Sequence, residues 1–381
     1  MIQFHPSRSA ALEQLQSFVD NQLTFYARDR NFDFGSDKRS NTSCLSPYVT
    51  HGILSEEEII RTSLKKHSFT KIEKFIQEVL WRTYWKGWLE RRPSVWTDFI
   101  NDLFSLKQDY ENDKILKSAE NGHTDISCFN DWVDELKQTG YLHNHTRMWF
   151  SSIWIFTLDL PWQLGAAFFM KYLKDGDAAS NTLSWRWTAG IQTKGKHYLA
   201  QEWNIKKFTN GKYDRIKLNE KAVPIISDKE HVQIDPNFQN TEINNQTLLL
   251  FDNQLALEQS NFKNKKFKNI IILQNTNLTR AIKISDELLK FKSALLHDQL
   301  DRLKGHYQIE IRDISFLKNL DIANMIAFYP GVGENLDYLN ENKIKVPYLY
   351  RQLDQTTSPY CQKGFFNFKN YIPKIVQQIN P

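Results

Sequence analysis

A carboxylate, a guanidinium and several indoles recur in steps of three and four in Phe75-x-x-Glu78-x-x-Trp81-Arg82-x-x-Trp85-x-x-Trp88. On a helix this spacing sets Glu78, Trp81, Arg82 and Trp85 along one face. Burying a carboxylate and a guanidinium beside indoles is costly unless a polar ligand satisfies them or they satisfy each other. Aromatic faces bordered by charged hydrogen-bonding groups suit a planar heterocycle or an extruded base. The same pattern also fits an aromatic core stripe with an internal Glu78–Arg82 pair.

Two further clusters carry polar groups at suggestive spacings. Thr42-Ser43-Cys44-Leu45-Ser46-Pro47-Tyr48 is followed by Thr50-His51-Gly52 and a helix opening at Ser55. Hydroxyls and backbone N–H groups between helices can cradle a diphosphate, or they can be a plain interhelical turn with Ser55 and Glu58 as a capping box. The other cluster runs Thr139-Gly140-Tyr141-Leu142-His143-Asn144-His145-Thr146-Arg147-Met148, then Trp162, then Asp175-Gly176-Asp177-Ala178-Ala179-Ser180-Asn181 and Trp185-Arg186-Trp187. Asp-Gly-Asp lacks the further acids and closing glutamate of a calcium loop, so no metal is expected. A solvated turn and core packing would also account for these aspartates and tryptophans.

The elements that must position these residues follow from periodicity. Leu12, Leu15, Phe18, Val19, Leu23 and Tyr26 predict an amphipathic helix over 9–29, and further helices are expected at 55–66, 70–91, 129–139, 143–158 and 161–174. All 11 tryptophans lie between Trp81 and Trp203. From Lys212 to Gln246 the chain is polar and Asn-rich, with Pro224 and Pro236, and reads as a linker. Beyond it, short apolar runs at 248–251, 269–273, 308–314, 325–329 and 346–350, with a helix at 279–304 after the second, predict a small, mainly parallel α/β sheet. The expected organisation is an all-α domain over 1–215, a linker over 216–245 and a smaller Rossmann-like α/β domain over 246–381.

Composition bounds the classes open to the chain. Its 381 residues are 41% apolar and 24% charged with only 14 glycines, which excludes collagen-like and disordered chains. Lysine and arginine total 49 against 44 acids, so overall charge does not decide for or against nucleic acid. Cys44, Cys128 and Cys361 are too far apart for a zinc or iron–sulfur site and fit a reducing compartment. The apolar stretch Met148 to Met170 is broken by Asp159, Pro161 and Gln163, so a buried helix pair is expected rather than a membrane span. A cytoplasmic monomer is the default expectation.

Taken together and in order, the motifs LSPY…GxLS, ExxWR, TGxxHNxxRM and DGDxxxNxxxWxW over residues 4–203 resemble the flavin domain of DNA photolyases and cryptochromes. The resemblance implies an all-helical domain holding FAD. By motif position Tyr26, Thr42, Ser43, Ser46, Phe75, Arg82 and Asn144 would touch the cofactor. Arg147 would pair with Asp175, Asp175 and Asp177 would lie near the isoalloxazine and adenine, and Asn181 would face flavin N5. In the family reaction, light-excited reduced FAD donates an electron to a cyclobutane pyrimidine dimer flipped out of DNA. Trp81 and Trp187 resemble the aromatic walls around that dimer, Glu78 the carboxyl that hydrogen-bonds it, and Met148 and Asn144 contacts beside it. Trp185 and Trp162 resemble the first two members of the tryptophan chain that photoreduces the flavin. The third is expected near Asp102-Leu103-Phe104, where no tryptophan stands; Trp96, Trp132 or Trp154 could substitute.

Departures from the family pattern leave the resemblance in place at the flavin pocket and weaken it on the DNA-facing side. Phe75 stands where many members have tryptophan, Cys44 where an arginine is common, His145 where a basic residue often meets phosphate, and Lys194-Gly195-Lys196-His197-Tyr198-Leu199 replaces an Arg-x-Phe-Asn-Pro-like stretch. The chain begins at the flavin domain, whereas family members usually begin with an antenna domain. Phe251-Asp252-Asn253, the helix around Phe291–Leu303, and Gly364-Phe365-Phe366-x-Phe368-Lys369 resemble parts of that domain, which implies a rearranged antenna-like domain at the C-terminus and room for a folate or deazaflavin chromophore. The resemblance leaves three activities open: a photolyase acting on DNA with pyrimidine dimers, a cryptochrome-like blue-light photoreceptor without repair activity, and a catalytically silent flavoprotein that binds DNA.

Overall fold

The computed structural model describes residues 2–227 and 229–380. The chain forms two compact units, each assembled from separated stretches. One comprises the N-terminal residues to Gln3, Phe25–Thr42 and Ser94–His231; the other comprises Phe4–Thr24, Ser43–Pro93 and Val232–Pro381.

The first unit is helical. Its main helices are Ser94–Asp109, Lys114–Asn121, Ser127–Thr139, Asn144–Ser152, Trp162–Tyr172, Ala178–Ala189 and Glu202–Phe208. The helix expected over 143–158 is regular only to Ser152 and continues as a widened π turn over Ile153–Thr157. Its core is aromatic: Trp96, Trp149, Trp154, Trp185, Phe129 and Phe150 are all fully buried. A buried polar knot crosses it, in which Arg39 pairs with Asp33 at 2.8 Å and Glu135 at 2.7 Å. Burial pushes the Asp33 carboxyl up, but Arg39 and His143 outweigh that and hold it at about 2.

The second unit joins helices to a sheet. The helix expected over 9–29 runs as Arg8–Asn21, and Glu56–Lys66 and Phe69–Glu90 follow. Ser55 caps the second of these by accepting from Glu58 N at 3.1 Å. Strands Thr247–Phe251 (β1), Ile270–Gln274 (β2), Ile309–Asp313 (β3), Met325–Phe328 (β4) and Tyr348–Leu349 (β5) form a five-stranded sheet in the order β3-β2-β1-β4-β5. All neighbouring pairs are parallel, with Leu248 opposite Ile270 and Ile326, and Ile270 opposite Ile309. β1 is buried at every position, as expected of a central strand covered on both faces. Leu249, Phe251, Ile271, Leu273, Ala327 and Leu339 form the core on one side.

The helix between β2 and β3 is Asp286–Leu303, shorter than the expected 279–304. The Asn277 side chain binds both Ile284 O at 2.8 Å and Ile284 N at 2.9 Å, which holds the preceding residues in a loop until Ser285 caps the helix.

The winding of the sheet reverses between β1 and β4, where parallel α/β sheets open a crevice at the carboxyl ends of their strands. That position is filled by side chains. Asp252, the residue after β1, is 2% exposed and pairs with Lys292 at 3.1 Å and Arg280 at 3.2 Å, and Arg280 also pairs with Glu334. Burial alone would raise the Asp252 carboxyl, but the two cations outweigh it and hold it at about 2.

The same strand exit anchors the turn that ends the Leu45–Gly52 motif. His51 O accepts from Leu255 N at 3.0 Å, and His51 Nδ1 lies 3.1 Å from Asp252 O. Gly52 has φ +67°, and a Cβ there would stand 2.9 Å from Asn253 O and from Gln254 Cα. Only glycine allows both that backbone conformation and that approach.

Among the described residues no helix or strand falls between Phe208 and Thr247. No helix among them is long and apolar enough to cross a membrane, and no group of three or more His, Cys, Asp or Glu could hold a metal ion.

Candidate functional site

The predicted site residues fall in both units, and each group has its own geometry. In the helical unit, Arg147 lies on the first turns of Asn144–Ser152 and pairs with Asp175 at 2.8 Å. Its Nε donates to Leu142 O at 2.9 Å, and its guanidinium sits 5.0 Å from the centre of the Tyr141 ring. Asp175 is 5% exposed, so the pair is held on the side of the carboxylate by burial and on the side of the arginine by three separate contacts.

Asp177 is the N-cap of Ala178–Ala189 and accepts from Ala179 N at 3.0 Å and Ser180 N at 2.8 Å. One turn on, Asn181 is 7% exposed and its Nδ2 donates to Ala166 O at 2.8 Å. The amide orientation follows from that bond, and it leaves Oδ1 as the acceptor. A carboxamide so held can receive a proton donor from a ligand, which fits the N5–H of a reduced flavin. Asn144 is exposed at the start of its helix, and Met148 and Tyr26 are half-buried.

The tryptophans are arranged around Trp185, which is 2% exposed. Its ring meets Trp154 edge-on at 6.2 Å and Phe169 at 5.1 Å, while its Nε1 is buried with no hydrogen-bond partner among the described residues. Trp162 stacks on Phe99 at 5.5 Å, and Phe99 in turn meets Trp96 at 5.4 Å. The position where a third tryptophan is expected lies on Ser94–Asp109, with Leu103 buried and Phe104 70% exposed. Trp187 is half-buried and stacks on Tyr198 at 5.7 Å with 24° between the planes.

In the other unit, Ser46 opens the short helix Ser46–Thr50, and Ser43 O accepts from Gln14 at 2.7 Å. Thr42, at the end of a stretch of the helical unit, is half-buried. Arg82 donates to Thr50 Oγ1, which ties the Phe69–Glu90 helix to that short helix. Phe75 is 3% exposed and packs on Phe18 at 5.2 Å. Glu78 pairs with Lys74 one turn earlier at 2.9 Å and keeps a side-chain exposure of 24%. Trp81 is stacked by Phe365 at 3.7 Å and 25°, and meets Trp85 edge-on at 6.1 Å.

The partners Ala166, Trp154, Tyr198 and Phe365 are contributed by segments remote in sequence from the residues they hold. Trp154 is singled out by sequence as a substitute electron donor, and Tyr198 and Phe365 stand in stretches that depart from or resemble the family pattern. Nothing in the sequence pairs them with Trp187 and Trp81.

Comparison with known proteins agrees with the motifs. Residues 75–224 match the FAD binding domain of DNA photolyase. A deoxyribodipyrimidine photo-lyase of Agrobacterium fabrum is 30% identical over 188 residues, 49% of this chain and 38% of that protein. One from Vibrio cholerae is 28% identical over 192 residues, 49% of this chain and 40% of that protein. A solved bacterial class III photolyase from Agrobacterium tumefaciens is 28% identical, covers 54% of this chain and 43% of its own, and superposes with a TM-score of 0.46. The match thus spans about two-fifths of the length of these relatives. What the chain is similar to is therefore the FAD binding domain of DNA photolyase, matched over residues 75–224, and deoxyribodipyrimidine photo-lyases over about half of its length.

Proposed function

We propose that the chain is a light-driven deoxyribodipyrimidine photolyase that splits cyclobutane pyrimidine dimers in DNA. The observation that carries the reading is Asn181, whose Nδ2 is spent on Ala166 O so that an oxygen acceptor is presented from within the matched FAD binding domain. When bound and reduced, FAD would supply on illumination the electron needed to open the cyclobutane ring and would take it back once the ring has split, so that the cleavage is redox-neutral overall. Tyr26, Thr42, Ser43, Ser46, Phe75, Arg82, Asn144, Arg147, Asp175, Asp177 and Asn181 hold the cofactor in this reading.

The protein's own residues do the positioning. Asn181 would offer its Oδ1 as an acceptor to the flavin N5 proton, and Arg147 is kept charged and oriented by Asp175. Trp81 and Trp187 offer ring faces to the extruded dimer, with Met148 and Asn144 beside it. Glu78, released from Lys74, hydrogen-bonds the dimer. A dimer pairs and stacks poorly in the duplex, so its extrusion costs less than that of normal bases, which is a source of selectivity. Residues 1–215 form the catalytic domain, 216–245 the linker and 246–381 an antenna-like domain whose second chromophore would be a folate or deazaflavin. The protein acts as a cytoplasmic monomer.

The deciding experiment is repair of a thymine-dimer oligonucleotide by chemically reduced protein in blue light, with a dark control. Light-dependent recovery of thymine absorbance supports the enzyme. FAD-loaded protein that repairs neither single- nor double-stranded substrate would move the reading to a blue-light photoreceptor, the reading favoured by the Glu78–Lys74 pair if that pair is never broken. Glu78→Ala is expected to lower repair while leaving FAD bound; unchanged repair would remove Glu78 from the mechanism.

A further inference from the structure

Two indoles assigned to the dimer walls share a feature that the motifs do not contain: each is half of a stacked aromatic pair. Within the sheet-bearing unit, Phe365 lies against the indole of Trp81 at 3.7 Å and 25°. Within the helical unit, Tyr198 lies against that of Trp187 at 5.7 Å and 24°. Trp81 also meets Trp85, but edge-on, at 68°.

Both backing rings are themselves fixed. Phe365 is 7% exposed and is flanked by Phe368 at 5.9 Å and by Tyr84 at 5.4 Å. Its segment is pinned to the Phe69–Glu90 helix by Tyr84 OH, which donates to Lys363 O at 2.9 Å. Cys361 follows the same helix so closely that a Cβ on Gly87 would stand 2.5 Å from its Sγ. The adjacent Phe366, by contrast, is 83% exposed. Tyr198 is held by its backbone N–H, which donates to Thr188 O at 3.1 Å, and its hydroxyl lies 3.5 Å from His145 Nε2.

We infer that Phe365 and Tyr198 are positioning residues that fix the planes of Trp81 and Trp187 from behind, so that damaged bases stack on walls two rings deep. The inference rests on the reading that each of these indoles offers its face to the extruded dimer. An indole free to tilt loses part of a stacking contact whose strength depends on parallel faces, whereas one already stacked meets the base at no cost in ring freedom. The segments 194–199 and 364–369 thereby act in substrate discrimination without touching substrate.

The test uses full-length, FAD-loaded protein and measures dark binding of a single-stranded oligothymidylate with and without one cyclobutane dimer. Phe365→Leu and Tyr198→Leu are each expected to weaken binding of the dimer oligonucleotide by about tenfold, within the range of one base–aromatic stack, while binding of the undamaged oligonucleotide and flavin content stay unchanged. Phe365→Tyr and Tyr198→Phe retain the ring and are expected to restore discrimination to within about twofold. If Phe365→Leu does not fold, Phe365→Met, which keeps the volume without the ring, takes its place. Unchanged discrimination in the Leu or Met variants would overturn the inference, as would tighter dimer binding, which would make Phe365 a cap over Trp81. Trp81→Ala separates the two levels: if it too leaves discrimination unchanged, the dimer-wall reading fails, whereas loss in Trp81→Ala with none in Phe365→Leu sinks only the positioning role.

Discussion

Gly165 and Trp185 are packed so closely that a Cβ on Gly165 would lie 2.3 Å from Cη2 and 2.5 Å from Cζ3 of the indole, and 2.9 Å from Trp154 Nε1. The missing side chain is what lets the Trp162–Tyr172 helix approach the two buried tryptophans. Neither ring can yield easily, because Trp185 is also wedged against Phe169 and Phe150, and Trp154 Nε1 donates to Pro161 O at 3.0 Å. Gly165→Ala is therefore expected to destabilise the protein by about 1–3 kcal/mol through overpacking. It should also shift Trp185, which a changed rate of light-driven flavin reduction would register. A melting temperature equal to that of the unmodified protein would show that the helix simply moves away.

The photoreduction route is the next test of the same core. Trp185→Phe is expected to slow light-driven flavin reduction by an external thiol strongly while sparing repair by chemically reduced protein. Among the described residues, the tryptophan in ring contact with Trp185 is Trp154, whereas the rings around Trp162 are those of Phe99 and, beyond it, Trp96. Trp154→Phe should accordingly slow reduction more than Trp96→Phe. Transient absorption of the tryptophan radicals in the two variants would decide, and equal rates in all three would point to a route outside this core.

How much of this was legible beforehand depends on how many faces an element buries. Phe69–Glu90 is legible because its apolar residues keep to a stripe, with Glu73, Lys74 and Glu78 off the core. Ala178–Ala189 is not, since Asn181, Thr182, Leu183, Trp185, Arg186 and Thr188 are all buried and no polar face marks the period. Ser94–Asp109 differs, because it does bury a single stripe of Val95, Trp96, Phe99 and Leu103, but the stretch is marked in the sequence by the chemistry of Trp96 and not by that stripe. At the site, the residues that carry chemistry stand out by type and order. Their partners do not, because Ala166, Phe365 and Tyr198 contribute a carbonyl or a ring face that any sequence could supply.

The Arg147–Asp175 pair makes a separate prediction about cofactor retention. Asp175 is buried, while the Arg147 side chain keeps 23% of its exposure, so water can relieve part of the cost of separating them. Breaking a fully buried pair costs about 3–5 kcal/mol; for Asp175→Ala roughly 2 kcal/mol is expected after allowing for that relief. Flavin content after gel filtration should fall further than stability does, because the freed guanidinium loses its orientation as well as its partner. Equal losses of flavin and of folded protein would assign the pair a purely structural part.

Glu90 gives the stability of the sheet-bearing unit a pH dependence of unusual sign. Its carboxyl accepts from Tyr329 OH at 2.7 Å and from Val332 N at 2.8 Å. Burial pushes it from its ordinary 4.5 up to about 7, against the lowering effect of those two hydrogen bonds, with Asp354 adding to the rise and Lys86 opposing it. The folded protein therefore holds a proton that the unfolded chain has released. The associated stabilisation is complete below pH 4.5 and is lost as pH rises through about 7. The shift corresponds to at most about 3–4 kcal/mol. Glu90→Gln keeps an acceptor for Tyr329 and carries no proton to lose. Chemical denaturation of the two proteins at pH 5.5 and pH 8.5 should accordingly show the Gln variant losing less stability across the interval. If both lose the same amount, another group supplies the dependence and Glu90 is ionised throughout.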